Sequence, residues 1–318
     1  MSQLTNLIRE SIQPFKMNIL KDVLKNEIVP KLDLKTLIKL KLTCTELFLI
    51  VNQNALDAAC SLQVQHRLQQ VFEDQYDQFI AELDRSGAVI SGSFIIQCIL
   101  GECWEQQQQQ DDKNGDIDIY VDVKDKFDQT GEWITSNPTT QFESWFFDNF
   151  FFRSVVDATQ YQEVSNFIVW IREFAFPKKG VKIPKKNYLG MHWHHKFDQD
   201  KPILQIIDLD FDPKSYHRFD ENGKFISVDQ TSPTIQTTPI PIPPTPIPND
   251  DIWEFVKLTF DLDICKNIFG VKDHVPYIKT YRLNQIVTKT STYTIPPDRE
   301  LSTEERIHKY VKRGFKFI

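Results

Sequence analysis

No stretch of this 318-residue chain approaches the roughly 20 consecutive apolar residues that a membrane-spanning helix needs. Its first residues, MSQLTNLIRESIQPFK, lack the unbroken apolar core of a secretory leader, so cytoplasmic residence is the expectation. A basic excess is missing too. With 37 Lys and Arg against 44 Asp and Glu, the net charge is −7, which excludes a protein that grips duplex DNA by general phosphate neutralisation. Cysteine is sparse and irregular: Cys44, Cys60, Cys98, Cys103 and Cys265 are odd in number and form no CxxC pair. That excludes a disulfide framework or zinc ribbon and points to buried free thiols in a reducing compartment. What remains is ordinary for a folded chain, 41% hydrophobic and 25% charged, and a packed core follows.

Residues 17–65 have a helical period. Ile19, Leu20, Val23, Leu24, Ile28 and Val29 recur at three- and four-residue intervals, Pro30 interrupts, and Leu32, Leu34, Leu37, Ile38, Leu40 and Leu42 resume. Three short helices would bury these stripes. Residues 66–85 read as one longer connecting helix that Gly87 stops. Beyond it, strands are expected at 88–91, 117–123, 166–175, 187–194, 203–211 and near 258–264, with helices at 93–105, 141–152, 250–257 and 302–313. Two inserts interrupt this series. Residues 105–115, EQQQQQDDKNG, read as a flexible polar loop, and residues 233–248, PTIQTTPIPIPPTPIP, as an extended proline-rich tether.

The segment VISGSFIIQCILGECWEQQQQQDDKNGDIDIY, residues 89–120, carries the chemistry. If Val89 and Ile90 end a strand and Phe94 opens a helix, Gly92 can take a tight turn. Ser93 then stands at the helix N-terminus, where hydroxyl and N–H groups suit a phosphate. Asp116 and Asp118 alternate with Ile117, Ile119 and Val121, so both carboxylates leave one face of a strand. Two acids so close repel each other unless a cation stands between them. Magnesium, or manganese, is the natural choice, because it takes carboxylate oxygens and shares substrate phosphates. A nucleoside triphosphate held at Gly92 and Ser93 would put its phosphates beside that metal.

Chemistry with two metals calls for a third carboxylate. ILQIIDLDFD offers Asp208, Asp210 and Asp212, and FVKLTFDLDICKN offers Asp261 and Asp263. Asp208 ends an almost unbroken apolar run of the kind buried on both faces, whereas Asp261 and Asp263 share one face of an expected strand. The order of preference is Asp261, Asp208, Asp263. The succession GSF, GDIDIYV, TFDLDICKN and RIHKYVKRGF resembles a nucleotidyltransferase-fold family, of the DNA polymerase β-type superfamily, found in giant DNA viruses and some of their relatives. The resemblance spans about residues 86–318. It implies that Gly92, Ser93, Asp116, Asp118 and Asp261 carry the site, with an NTP as substrate and an acceptor hydroxyl on RNA, protein or a small molecule.

Near the end, Arg306, Lys309 and Arg313 share a helix face that could meet the triphosphate, or could simply complement a helix C-terminus over Tyr310. His192, His194 and His195 have no acid or cysteine at ligand spacing and read as a partly exposed strand. The ring-dense FESWFFDNFFF, 142–152, reads as core.

The leading segment NILKDVLKNEIVPKLDLKTLIKLKLTCTELFLIVNQNAL resembles an F-box, through Asp33, Leu34, Leu37, Leu40, Thr43, Cys44, Leu47 and Phe48. That resemblance implies a surface for a Skp-type adaptor of a host ubiquitin ligase; the usual Leu-Pro start is absent. The expectation is therefore an α+β protein: a small all-helical F-box-like module (17–65), a connecting helix (66–85) and a mixed-sheet nucleotidyltransferase domain (86–318). The alternative is a non-enzymatic adaptor that uses an inactive nucleotidyltransferase fold to bind a target.

Overall fold

A computed structural model of the chain describes residues 28–29, 32, 34–41, 51–104, 115–123, 137–156, 168–183, 196–209, 211, 218–219, 225–226, 252–294 and 300–318. The chain divides into two compact units, Met1–Arg67 and Leu68–Ile318. In the first, α1 (Leu34–Lys41) buries Leu34 and Leu37. Helix α2 (Gln53–Phe72) starts where the Asn52 side chain accepts the Ala55 N–H at 2.9 Å, and it buries Cys60, Val64 and Leu68 at four-residue spacing. Asp33, Thr43, Cys44, Leu47 and Phe48 lie outside the described residues, and so do the glutamine run, the proline-rich stretch and the three histidines.

The single helix expected over 66–85 is two. Helix α2 ends at Phe72, a 3-10 turn covers Glu73–Gln75, and α3 runs Tyr76–Ser86 before Gly87 turns left-handed at φ 68°. At the break Glu73 takes a positive φ of 51°, and the helix end is capped by Lys201. Its ammonium donates to the carbonyls of Val71 at 2.8 Å and Gln70 at 3.1 Å and to the Glu73 carboxylate at 2.5 Å, satisfying the oxygens that the helix end exposes.

A seven-stranded sheet organises the second unit. Its strands are β1 (Val89–Ser91), β2 (Asp116–Asp122), β3 (Phe151–Val156), β4 (Ile168–Ala175), β5 (Ile203–Leu209), β8 (Asn267–Lys272) and β9 (Val275–Thr280), in spatial order 3-4-5-2-1-8-9. Only β2 and β5 run parallel; every other neighbour is antiparallel, so the sheet is mixed. Strands β6 (Arg218–Phe219) and β7 (Phe225–Ile226) make a separate pair. Helix α4 (Ser93–Leu100) follows β1, and α5 (Pro138–Asn149) precedes β3, opened by the Asn137 side chain accepting the Thr139 N–H with Pro138 at the first turn. The β8–β9 hairpin turns on Asp273 and His274, both at positive φ, and Asp84 accepts the His274 N–H at 2.9 Å.

Register sorts the two faces. Tyr120 stands opposite Ile207, and Ile207 opposite Ile171; these pack with Phe255 and Val256 of α6 (Ile252–Thr259). Phe174, three residues on from Ile171, points to the other face and meets Phe146 of α5 in a ring cluster with Phe142, Phe150 and Phe79. The ring-dense segment is core: Phe142, Phe146, Phe150 and Phe151 are all fully buried.

The strand expected near 258–264 does not form. Helix α6 runs on to Thr259, whose hydroxyl donates to the Phe255 carbonyl at 2.7 Å, and Leu258 is 65% exposed. Leu262 makes a lone bridge to Tyr293, and a 3-10 turn covers Asp263–Cys265. The alternating Leu258, Phe260, Leu262 and Ile264 belong to a helix end and a turn, so Asp261 and Asp263 do not leave one strand face.

After α7 (Leu283–Thr288), β10 (Thr290–Ser291) pairs in parallel with β11 (Lys316–Phe317), which follows α8 (Glu300–Lys312). Gln97 of α4 holds one margin of the glutamine-rich insert and lies near the other. Its side-chain oxygen accepts the Trp104 N–H at 2.8 Å, and its amide nitrogen lies against Gly115, whose carbonyl accepts the Ile203 N–H at 3.2 Å. Cys60, Cys98 and Cys265 are buried free thiols and Cys103 an exposed one. No described helix is long and apolar enough to cross a membrane.

Candidate functional site

Gly92 sits at φ 82°, ψ −148°, a conformation that essentially only glycine adopts. The reason is immediate: a β-carbon there would stand 2.8 Å from Oδ2 of Asp118. Ser91 of β1 and Asp118 of β2 are register partners, so the turn that starts α4 lies directly over that carboxylate. Ser93, half-buried, is the first residue of α4. The Gly-Ser turn and the acidic pair, 23 residues apart between Ser93 and Asp116 in sequence, thus form one site.

Asp116 and Asp118 share a face of β2, and the interleaved Ile117 and Ile119 are fully buried on the other. The Asp118 carboxyl is pushed up to about 7, first because burial strips its water and second because the Asp116 charge stands beside it; Lys309 and Arg306 pull the other way. Near neutrality the pair therefore carries strain that a cation would relieve. Lys309 is pushed down by the partial enclosure of its ammonium and by Arg313, against the pull of Asp116 and Asp118.

Helix α8 and the turn that follows it, where Arg313 lies just past the helix end, supply these cations and divide them among three tasks. Arg306 donates to Asp261, Nη1 to Oδ1 at 2.7 Å, and its field also reaches Asp118. The Lys309 charge acts on both members of the acidic pair. Arg313 lies over the Trp104 ring, 4.3 Å from its centroid, and over buried Tyr310 at 5.3 Å, a cation–π arrangement.

The three candidates for a third acid are placed differently. Asp261 is 2% exposed, carries Arg306, and accepts the Leu262 N–H at 2.9 Å. Asp263 pairs with Lys266 at 2.7 Å and accepts the Thr292 hydroxyl at 2.5 Å. Asp208 stands opposite Val121, three residues beyond Asp118, so it faces the other side of the sheet. There the Arg172 guanidinium lies 2.5 Å from both Asp208 and Glu143, all three buried. Asp210 and Asp212 lie outside the described residues.

Sequence reading passed over a polar row on the face that carries Asp118. Asp118 is the register partner of Gln205, Gln205 of Glu173, and Glu173 of Ser154. The Gln205 amide donates to Glu173 at 3.1 Å and the Ser154 hydroxyl at 2.8 Å. Its signal was a polar residue inside each apolar strand, Gln205 in ILQIIDL beside Asp208 and Glu173 in IVWIREFA beside Arg172.

Among the described residues no group of three or more metal-ligating side chains gathers. The acidic pair instead suits magnesium, which keeps waters and completes its shell from one or two carboxylates and substrate phosphates. Compared with models of known protein families and with curated protein sequences, the chain matches none.

Proposed function

We propose that the second unit is a metal-dependent nucleotidyltransferase that moves a nucleoside monophosphate from an NTP to an acceptor hydroxyl. The observation that carries this reading is the contact between the Gly92 turn and the Asp118 carboxylate. A phosphate-suited helix start and a cation-seeking acid pair on one spot are what a phosphate–metal substrate requires. Two independent features, legible separately in sequence, lie so close that a β-carbon at Gly92 would clash with the Asp118 carboxylate.

In this reading the helix-start N–H groups at Gly92 and Ser93 orient the triphosphate. Asp116 and Asp118 hold magnesium or manganese, which when bound neutralises the phosphate oxygens and withdraws charge from the reacting phosphorus. The charge of Lys309 acts on both acids and that of Arg306 on Asp118, and in this reading the two offset charge on the departing pyrophosphate. Asp261, first expected to hold a second metal, acts through Arg306 by fixing its guanidinium. Arg313 stiffens the base of that helix by its stack on Trp104.

The test incubates the full chain with each α-labelled NTP, magnesium or manganese, and cell extract as the source of acceptor. Label should pass from at least one NTP into a macromolecular or small-molecule fraction, and Asp116→Ala should abolish it. Absence of label with all four nucleotides and both metals refutes the enzymatic reading and favours the adaptor alternative.

A further inference from the structure

The three acids that the sequence offered as the third carboxylate are each otherwise engaged. Asp261 and Asp263 each hold a cation, and Asp208 is turned to the far face. We infer that Glu173, positioned by Gln205, is the acceptor-side base of the reaction. This rests on the nucleotidyl-transfer reading above and extends it to a strand that the sequence did not implicate.

Geometry supplies the first argument. Glu173 lies two strands from Asp118 in unbroken register through Gln205, on the same face of the sheet. Two strand spacings are about 10 Å. The carboxylates rise from the sheet with that gap between them and the Gln205 amide as its floor. A gap of this width admits an acceptor oxygen on the Glu173 side of a phosphorus bound at Asp118.

The second argument is electrostatic. The partners described for Asp261, Asp263 and Asp208 are Arg306, Lys266 and Arg172, each of which satisfies a carboxylate as an ion. Glu173 is held instead by two neutral donors, the Gln205 amide and the Ser154 hydroxyl, one on each oxygen. Such bonds fix a carboxylate's direction without neutralising it, and each oxygen keeps a lone pair for a further donor. An acceptor hydroxyl is the fitting donor. Glu173, Gln205 and Ser154 are all half-buried, so the row is open to solvent at an edge.

The step balances with the two substrates named. The Glu173 carboxylate takes the proton of the acceptor hydroxyl, and the oxygen's electron pair forms the new bond to the α-phosphorus. The bond from that phosphorus to the bridging oxygen breaks, and pyrophosphate leaves with its electrons. Glu173 then returns the proton to water.

The experiment measures ATP affinity with magnesium by equilibrium dialysis, and transfer from the best α-labelled NTP into cell extract, for the full chain and four variants. Glu173→Gln keeps the hydrogen-bonding outline and should leave ATP affinity within twofold while lowering kcat about 100-fold or more, as loss of a general base does. Glu173→Asp should recover part of the rate, which a purely structural role would not require. Gln205→Leu should lower kcat about tenfold at unchanged NTP KM, because it aims the base and touches no nucleotide. Asp261→Asn should behave oppositely, raising NTP KM through Arg306. If wild type transfers label and Glu173→Gln, folded by thermal melt, keeps more than a third of its rate, the inference is overturned and the nucleotidyltransferase reading stands. If Glu173→Gln fails to fold, Gln205→Leu decides by the same criterion. Wild type that transfers nothing overturns both.

Discussion

Replacing Asp118 with asparagine should make the metal-free protein more stable while destroying its activity. The carboxyl is raised from 3.8 to about 7 by burial and by Asp116. At 1.36 kcal/mol per pH unit the full difference is about 4 kcal/mol. Solvent screening at a half-buried group trims this to about 2 kcal/mol. The sign follows from linkage. A carboxyl whose folded value lies above its unfolded value favours the folded state while protonated, so its contribution is fully present below about pH 4 and is lost as pH rises through about 7. Asparagine has no proton to lose, so the stability gap between Asp118→Asn and wild type should open between pH 4 and 7 and level off above. Urea unfolding in EDTA at pH 5, 6, 7, 8 and 9 reads the gap directly, with equal slopes confirming that both unfold alike. A gap that is the same at pH 5 and pH 8, or an asparagine variant that is the less stable of the two at pH 8, would refute the account of Asp118 as a strained member of an acidic pair.

Other perturbations follow from the same contacts. Gly92→Ala forces a β-carbon against the Asp118 oxygen at a backbone angle alanine avoids, and should cost about 1–3 kcal/mol in thermal unfolding along with any NTP binding. Arg172→Met leaves Asp208 and Glu143 buried without their cation, and chemical denaturation should register a loss of about 3–5 kcal/mol. Magnesium titrated into metal-free wild type should raise the unfolding temperature by mass action, and Asp116→Ala should abolish that gain; an equal gain in the variant would place the ion elsewhere. Arg313→Ala should weaken the packing of α8 on Trp104, lowering stability by about 1 kcal/mol and leaving kcat nearly intact.

The fold was legible where one period dominated. Gly87 ended its helix as expected, VISGSF gave a strand, a turn and a helix, and the alternation in DIDIYVD set Asp116 and Asp118 on one face. It was illegible where two periods fit the same residues. Leu258, Phe260, Leu262 and Ile264 alternate like a strand, but Phe255 and Val256 carry the helical stripe that packing on Tyr120 and Ile207 rewards, and the chain follows the stripe. Strand β3 was folded into the preceding aromatic helix, because no glycine or proline separates Phe150 from Phe151. The β8–β9 hairpin went unseen because Asp273 and His274 make its turn without glycine.

The site divides along a similar line. Residues near one another in sequence, Gly92 with Ser93 and Asp116 with Asp118, were found by spacing. The fates of Asp208 and Asp261 depended on partners far along the chain: Arg172 and Glu143 for one, Arg306 for the other. No spacing rule identifies such a partner. Glu173 and Gln205 sit on strands whose pairing only the sheet order defines, so their alignment with Asp118 exists in three dimensions alone.

The hold of Gln97 on Trp104 and of Gly115 on Ile203 bears on how this gene can drift. A tract of repeated glutamine codons is prone to gain or lose units during replication. Here the near margin of the tract is fastened to Gln97 through Trp104, and the far margin to Ile203 through Gly115. The closure entropy of a loop grows slowly with its length, by about 0.6 kcal/mol for each doubling. Slippage in this part of the gene can therefore accumulate with Asp116 kept in place.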